Sequence, residues 1–332
     1  MRSRRRLHAF TLVELLVVIA IIAVLISLLI GPISRARRQA LLLACPIAMQ
    51  SSDYVPVIVH PRGSPELGIA PSYSGYERGP MWSTRGTWIG YEAQYFNDAV
   101  FIVRAATGKT YVHANWKPYD NIVGWADDDH FITADPVPPG ANAQIDYVVR
   151  EAVTGRMSEH FVVSNVSETS YGHTAEIVTR VPASSGAYYI AGLPVALVGG
   201  PTKIALLRRD FSIKKVIQSD PGRDCRPRVD PFGEYVAWTT IQNKKACVAV
   251  KLLTAPMNDS PEFLSAPGVY DGNGLFFTDW TEDGNILAFV GNIGPGARHQ
   301  LVIMTRGGKF LRSVCEVKTS HYPGANWRKY MH

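Results

Sequence analysis

The chain has 332 residues, 46% of them apolar and 19% charged, which supplies a large core and excludes an intrinsically disordered chain. Its net charge of +6 is local: set aside Arg2, Arg4, Arg5, Arg6, Arg35, Arg37, Arg38 and Glu14, and the remainder is neutral. Nucleic acid is therefore not expected as a partner, because a phosphate-binding face needs Lys and Arg clustered in the globular part.

The first predicted element is an apolar helix. From Leu12 to Ile30 only Glu14 and Ser27 interrupt a run of 19 residues, which at about 1.5 Å per residue spans a bilayer's hydrocarbon core. The preceding RSRRR cluster places the N-terminus in the cytoplasm and the C-terminal bulk outside the inner membrane, as a single pass. Arg35, Arg37 and Arg38 partly oppose that bias. A secretory signal peptide is the competing reading, but its apolar core is shorter and ends at a small-residue cleavage site, whereas this run continues into GPISRARRQALLLA. An ionised carboxylate in lipid costs on the order of 3 kcal/mol, so Glu14 needs a partner.

The stretch AFTLVELLVVIAIIAVL resembles the N-terminal segment of type IV prepilins and type II secretion pseudopilins. The resemblance implies a basic leader (1–9) cut by a prepilin peptidase between Ala9 and Phe10, followed by N-methylation of Phe10. It also implies an assembly and membrane helix over 10–45, in which Glu14 pairs with the α-amine of Phe10 in a neighbouring pilin or pseudopilin subunit. Two positions depart from the family pattern: Ala9 stands where Gly is usual, and Gly31 stands where a helix-kinking proline is usual, with Pro32 one place later. Gly-Pro still weakens a helix there, since Pro removes a backbone donor.

After a linker over 46–78 with a blade-closing strand such as DYVPVIVH, the pattern becomes short β-rich runs broken by turn residues. Five stretches repeat an anchor, a turn and a strand: WSTRGTWIGYEA, WADDDHFITA, PASSGAYYIAG, VDPFGEYVAWTT and WTEDGNILAFVG. The anchors are Trp82, Trp125, Pro182, Val229 and Trp280, with Trp327 a sixth, at spacings of 43, 57, 47, 51 and 47 residues. That is the period of four-stranded propeller blades. Gly86, Gly186, Gly233 and Gly284 stand four places after their anchors, with Asp129 in that place in the second repeat, as a turn of positive φ requires. Later strand pairs such as AVFIVRAATGK and QLVIMTRGGKF complete each unit. The cadence resembles the TolB-type, WD40-like repeat. The expected fold is mainly β: a six-bladed propeller over 79–332, within a range of five to seven blades, preceded by one long hydrophobic α-helix. Trp82, Trp125, Trp280 and Trp327 are expected in the blade core. A β-sandwich, or the small antiparallel sheet of pilins, is the competing fold, and the repeat period counts against both.

Chemistry-bearing motifs are sparse. ATGKT at 106–110 lacks the first glycine of a phosphate-binding loop and reads as a hairpin turn. Asp127, Asp128 and Asp129 lack the spacing of a calcium loop and read as a solvated turn. Cys45, Cys225, Cys247 and Cys315 have no zinc-ligand spacing, though the last three leave room for one disulfide. No catalytic residue, metal or cofactor is expected. The predicted function is a pilin-like anchor displaying a binding head for a secreted protein or an envelope glycan. The alternative is a surface-anchored propeller enzyme, a polysaccharide lyase or hydrolase, in which His130, His160, His173, His299 or His321 would converge in the channel.

Overall fold

A computed structural model describes residues 19–20, 47–50, 56–59, 67–68, 80–93, 99–104, 109–113, 121–136, 144–164, 176–181, 188–194, 202–219, 226–270, 273–291, 298–318 and 325–327. The chain divides into two compact units, Met1–Ala44 and Cys45–His332. Of the first, only Ile19 and Ala20 are described, so the expected helix, with Ala9, Phe10, Glu14, Gly31 and Pro32, lies outside the described residues. Among the described residues no helix is long and apolar enough to cross a membrane.

The second unit is built from four-stranded antiparallel meanders. It begins with β1 (Ile47–Gln50), β2 (Pro56–Val59) and β3 (Leu67–Gly68). The next meander is β4 (Met81–Trp82), β5 (Trp88–Ala93), β6 (Ala99–Arg104) and β7 (Thr110–His113). Then come β8 (Asn121–Trp125), β9 (His130–Pro136), β10 (Gln144–Glu151) and β11 (Met157–Ser164). They are followed by β12 (Glu176–Arg180), β13 (Tyr188–Pro194), β14 (Thr202–Arg208) and β15 (Ile213–Ser219). Two more meanders follow: β16 (Arg228–Val229), β17 (Tyr235–Gln242), β18 (Lys245–Leu252) and β19 (Glu262–Leu264), then β20 (Gly274–Trp280), β21 (Ile286–Gly291), β22 (Arg298–Met304) and β23 (Phe310–Lys318). Finally β24 (Ala325–Trp327) pairs with β1, Trp327 opposite Ile47.

Among the described residues the strands form five hydrogen-bonded sheets, not the six separate ones expected. The difference has a local cause: β8 and β12 run parallel and bridge at Gly124 and Val178, which fuses two meanders into one eight-stranded sheet. The chain's last strand does share a sheet with its early strands. Its immediate partner, however, is β1 at 47–50, and the DYVPVIVH strand lies one place further out.

Burial follows the layering. β20 and β21 are buried at every position, as expected of strands covered on both faces. The outermost β15 has a single buried position. Four of the core clusters among the described residues join successive meanders, while Tyr91, Ala99, Phe101 and Val103 pack within one. One holds Val123, Ile132 and Tyr147 against Tyr189, Ala205 and Phe211; a second holds Ile190 and Ile204 against Val236 and Trp238; a third holds Val248 and Val250 against Leu275, Phe277 and Trp280. Face-to-face packing of consecutive sheets with first strands innermost is the propeller plan.

The turn after each anchor explains the sequence repeat. Gly86, Gly233 and Gly284 have φ of 72°, 75° and 76°, and each donates its N–H to the residue after the anchor: Ser83, Asp230 and Thr281. That residue's side chain also accepts from the turn, Trp88 N–H to Ser83 Oγ at 3.0 Å, Tyr235 N–H to Asp230 Oδ1 at 2.9 Å and Asn285 N–H to Thr281 Oγ1 at 3.0 Å. Asp129 differs, for it is absent from the residues of positive φ. There Asp127 closes the turn instead, accepting from the N–H groups of Asp129 at 2.8 Å and His130 at 2.9 Å. Pro182 and Gly186 lie outside the described residues.

Candidate functional site

Trp82, Trp125 and Trp280 are buried. Two of them do the same work: Trp125 Nε1 donates to Met81 O at 3.2 Å and Trp280 Nε1 to Arg228 O at 2.9 Å, each acceptor standing one residue before the preceding anchor. The side chain of Trp327 lies outside the described residues. Beside Trp280, Arg228 and Asp279 form a buried pair 3.9 Å apart. Burial pulls the Arg228 guanidinium below its usual range, and Asp279 opposes that.

The acidic run is more than the solvated turn expected. Asp128 reaches into the preceding turn and accepts from Ser83 Oγ at 2.6 Å, Arg85 N–H at 2.9 Å and Thr87 Oγ1. Burial raises its pKa, but the Ser83 and Thr87 hydrogen bonds outweigh this and hold the carboxyl below its usual value. ATGKT falls in the β6–β7 connection, where Arg104 N–H donates to Lys109 O. Cys247 is a buried free thiol and Cys315 is half-buried in β23, while Cys45 and Cys225 lie outside the described residues.

The described histidines do not converge. His130 opens β9 against Asp127, His160 lies on the outermost β11 with Asp146 at 3.6 Å, and His299 is buried in β22 beside Phe276 and Phe289. His173 and His321 lie outside the described residues. Among the described residues no group of three or more His, Cys, Asp and Glu is placed to hold a metal.

A recurring feature that the sequence does not advertise lies at the outer ends of the seams. In four of the meanders the turn between the third and fourth strands reaches back to the meander before it, with different chemistry each time. His113 in β7 donates from Nε2 to Ala152 O in the β10–β11 turn at 2.9 Å. There Gly155 is required, both for its φ of 67° and because a Cβ would lie 2.6 Å from His113 Nδ1. Lys215 in β15 donates to Ala255 O at 2.8 Å in the β18–β19 turn, while Lys251 donates to Ile217 O and Gln218 Oε1. Arg306 in the β22–β23 turn stacks on Tyr235, 3.9 Å from the ring centroid.

The β14–β15 turn makes the most open of these contacts. Arg209 Nη2 donates to Glu159 Oε1 in β11 at 2.8 Å. Phe211, at φ 60°, inserts between Tyr147 and Tyr189, with centroids 4.4 and 5.0 Å away and rings within 10° of parallel, and it touches Phe161 at 5.3 Å. A bulky residue at positive φ is strained, and such strain persists only where packing over-determines it. Above this stack lies a groove of about 420 Å³ lined by Glu159, Phe161, Tyr188, Arg208, Arg209 and Asp210. None of these six was singled out by sequence reasoning. The doubled cation before an aromatic in RRDFS was the available signal, but the stacking partners lie far away in the chain.

Residues 4–30 match the prokaryotic N-terminal methylation motif. No curated protein matches the chain. Among solved structures, TolB from Acinetobacter baumannii superposes with a TM-score of 0.59 at 14% identity, covering 86% of this chain and 67% of that one. A putative TolB from Agrobacterium tumefaciens gives 0.53 at 11% identity, over 85% and 98%. A nidogen/laminin complex chain gives 0.54 at 7% identity, over 87% and 100%. The chain thus joins a prepilin-type methylation motif to a TolB-like propeller fold.

Proposed function

We propose that this is a pilin-like protein of the inner membrane, processed by prepilin peptidase, that displays a propeller as a binding head on a type IV pilus or type II secretion type assembly. The observation that carries the reading is the methylation motif at residues 4–30 on a chain whose second unit is a TolB-like propeller. Cleavage falls between Ala9 and Phe10, and the segment 10–45 anchors the protein with its N-terminus in the cytoplasm and its head outside. Glu14 meets the methylated amine of a neighbouring subunit, which resolves the cost of a carboxylate in lipid. Gly31 and Pro32 bend the anchor helix. The head acts by binding rather than catalysis, a role consistent with the separate positions of His130, His160 and His299.

The head has six blades in this reading, the eight-stranded sheet counting as two. Support comes from its composition of two complete meanders joined only through first strands, and from β24, which neighbours both β20 and β4 as a sixth innermost strand would. Mass spectrometry of membrane fractions tests the anchor. The expected product begins at N-methyl-Phe10, and Glu14→Ala should insert normally but fail to co-assemble with other pilin-like subunits. A chain that retains Met1 in cells with active peptidase, or normal assembly of Glu14→Ala, refutes it.

A further inference from the structure

We propose that the groove between β11 and the β14–β15 turn binds one or two sugar rings of an uncharged glycan, an inference that rests on the reading of the propeller as a binding head. Its volume of about 420 Å³ falls within the range of small-molecule sites, about 300–1,000 Å³. The lining carries Arg208 and Arg209 against Glu159 and Asp210, which balance in charge, while the Lys214 ammonium beside it is engaged on the Tyr188 ring. What it offers is a set of fixed donors and acceptors beside aromatic carbon.

Each polar group is held in place by one or two protein contacts and keeps spare capacity. Arg208 Nη1 donates to Ile213 O at 2.9 Å and to Ser212 Oγ at 3.2 Å. Asp210 accepts from Ser212 N–H at 3.0 Å and Ser212 Oγ at 2.6 Å through a single oxygen. Arg209 spends one of its five N–H donors on Glu159, whose second oxygen makes no hydrogen bond among the described residues. Neighbouring hydroxyls of a sugar both donate and accept, so one can give to the free Glu159 oxygen while the next receives from Arg209.

The apolar side is equally defined. Phe161 and Tyr188 are half-buried, each leaving ring surface for the C–H face of a pyranose. Lys214 holds the Tyr188 ring from β15, its ammonium 3.7 Å from the centroid. Beneath them the Tyr147–Phe211–Tyr189 stack fixes the turn, so little ordering remains to be done on binding. A carboxylate-rich ligand would have to displace Glu159 from Arg209 and gain only what that pair already has.

The test uses the full chain in lipid nanodiscs, so that no sugar-headed detergent competes, with maltohexaose, cellohexaose and chitohexaose as probes followed by saturation-transfer NMR. At least one neutral probe should bind saturably in the micromolar to millimolar range, and Glu159→Gln and Tyr188→Ala should each weaken it about tenfold, the first with an unchanged melting temperature and the second with a lowered one, since Tyr188 also packs on the core. Absence of saturable binding by all three to a preparation whose Phe10 is methylated overturns the inference and leaves the anchored-head reading standing. Binding that survives both substitutions, or tighter binding of a hyaluronate hexasaccharide, also overturns it.

Discussion

Truncating Phe211 to alanine tests whether the aromatic stack holds two meanders together. The side chain is fully buried and contacts three aromatic rings from both halves of the eight-stranded sheet. Removing a buried Phe costs about 3–5 kcal/mol, the aromatic contacts placing this site toward the upper end. For a unit of this size that corresponds to a fall of about 6–10 °C in Tm. Glycine at the same position discards the same ring but relieves the φ of 60°, worth about 1 kcal/mol or more. Phe211→Gly should therefore be no less stable than Phe211→Ala, reversing the usual order of these two residues. Urea unfolding followed by near-UV circular dichroism, which reports the tyrosine environments directly, measures both. A loss below about 1 kcal/mol for alanine, or a glycine variant clearly weaker than the alanine one, refutes the account.

Two further outcomes concern pH. His299 is buried with no hydrogen bond to either ring nitrogen among the described residues, and burial lowers its pKa below 6.5. Its contribution is complete above the unfolded value of about 6.5 and declines as pH falls from there toward the folded pKa, by about 1.4 kcal/mol per unit of separation. His299→Leu should flatten the stability profile between pH 7 and 5 and cost little at pH 7; a slope unchanged from the parent would refute this. His113, also lowered by burial, should keep the remaining slope. Asp128→Asn should cost about 1–2 kcal/mol at pH 7 through its hydrogen bonds to Ser83, Arg85 and Thr87. Because the Asp128 pKa is depressed, that penalty should shrink as pH falls below about 4. A penalty equal at pH 7 and pH 3 in chemical denaturation would show that charge is not involved.

What the sequence discloses about this fold is what repeats in it. Anchor, following polar residue and glycine recur at Trp82, Val229 and Trp280 because those three meanders share the same turn after the first strand, and they need it locally, within six residues. Ser83, Asp230 and Thr281 stood beside these anchors in plain view. The sheet count was less legible. Whether β8 and β12 bridge at Gly124 and Val178 depends on how closely two first strands approach across about 55 residues of intervening chain. Periodicity carries no information on that distance.

The seams went unread because their chemistry does not repeat. A histidine on a carbonyl, an ion pair over stacked rings, two lysines on carbonyls and an arginine on a tyrosine occupy equivalent places. This irregularity has a physical use. Identical seams would let neighbouring meanders exchange partners at equal energy, whereas unlike seams penalise every wrong neighbour by leaving a charge or a buried donor without its match. Once each seam is required only to be different, one of them is free to be open. The Arg209–Glu159 pair, in which Arg209 is largely exposed, adds little to stability by itself. The stack around Phe211 supplies the cohesion instead, and so the polar groups above it can face a ligand without the propeller depending on them.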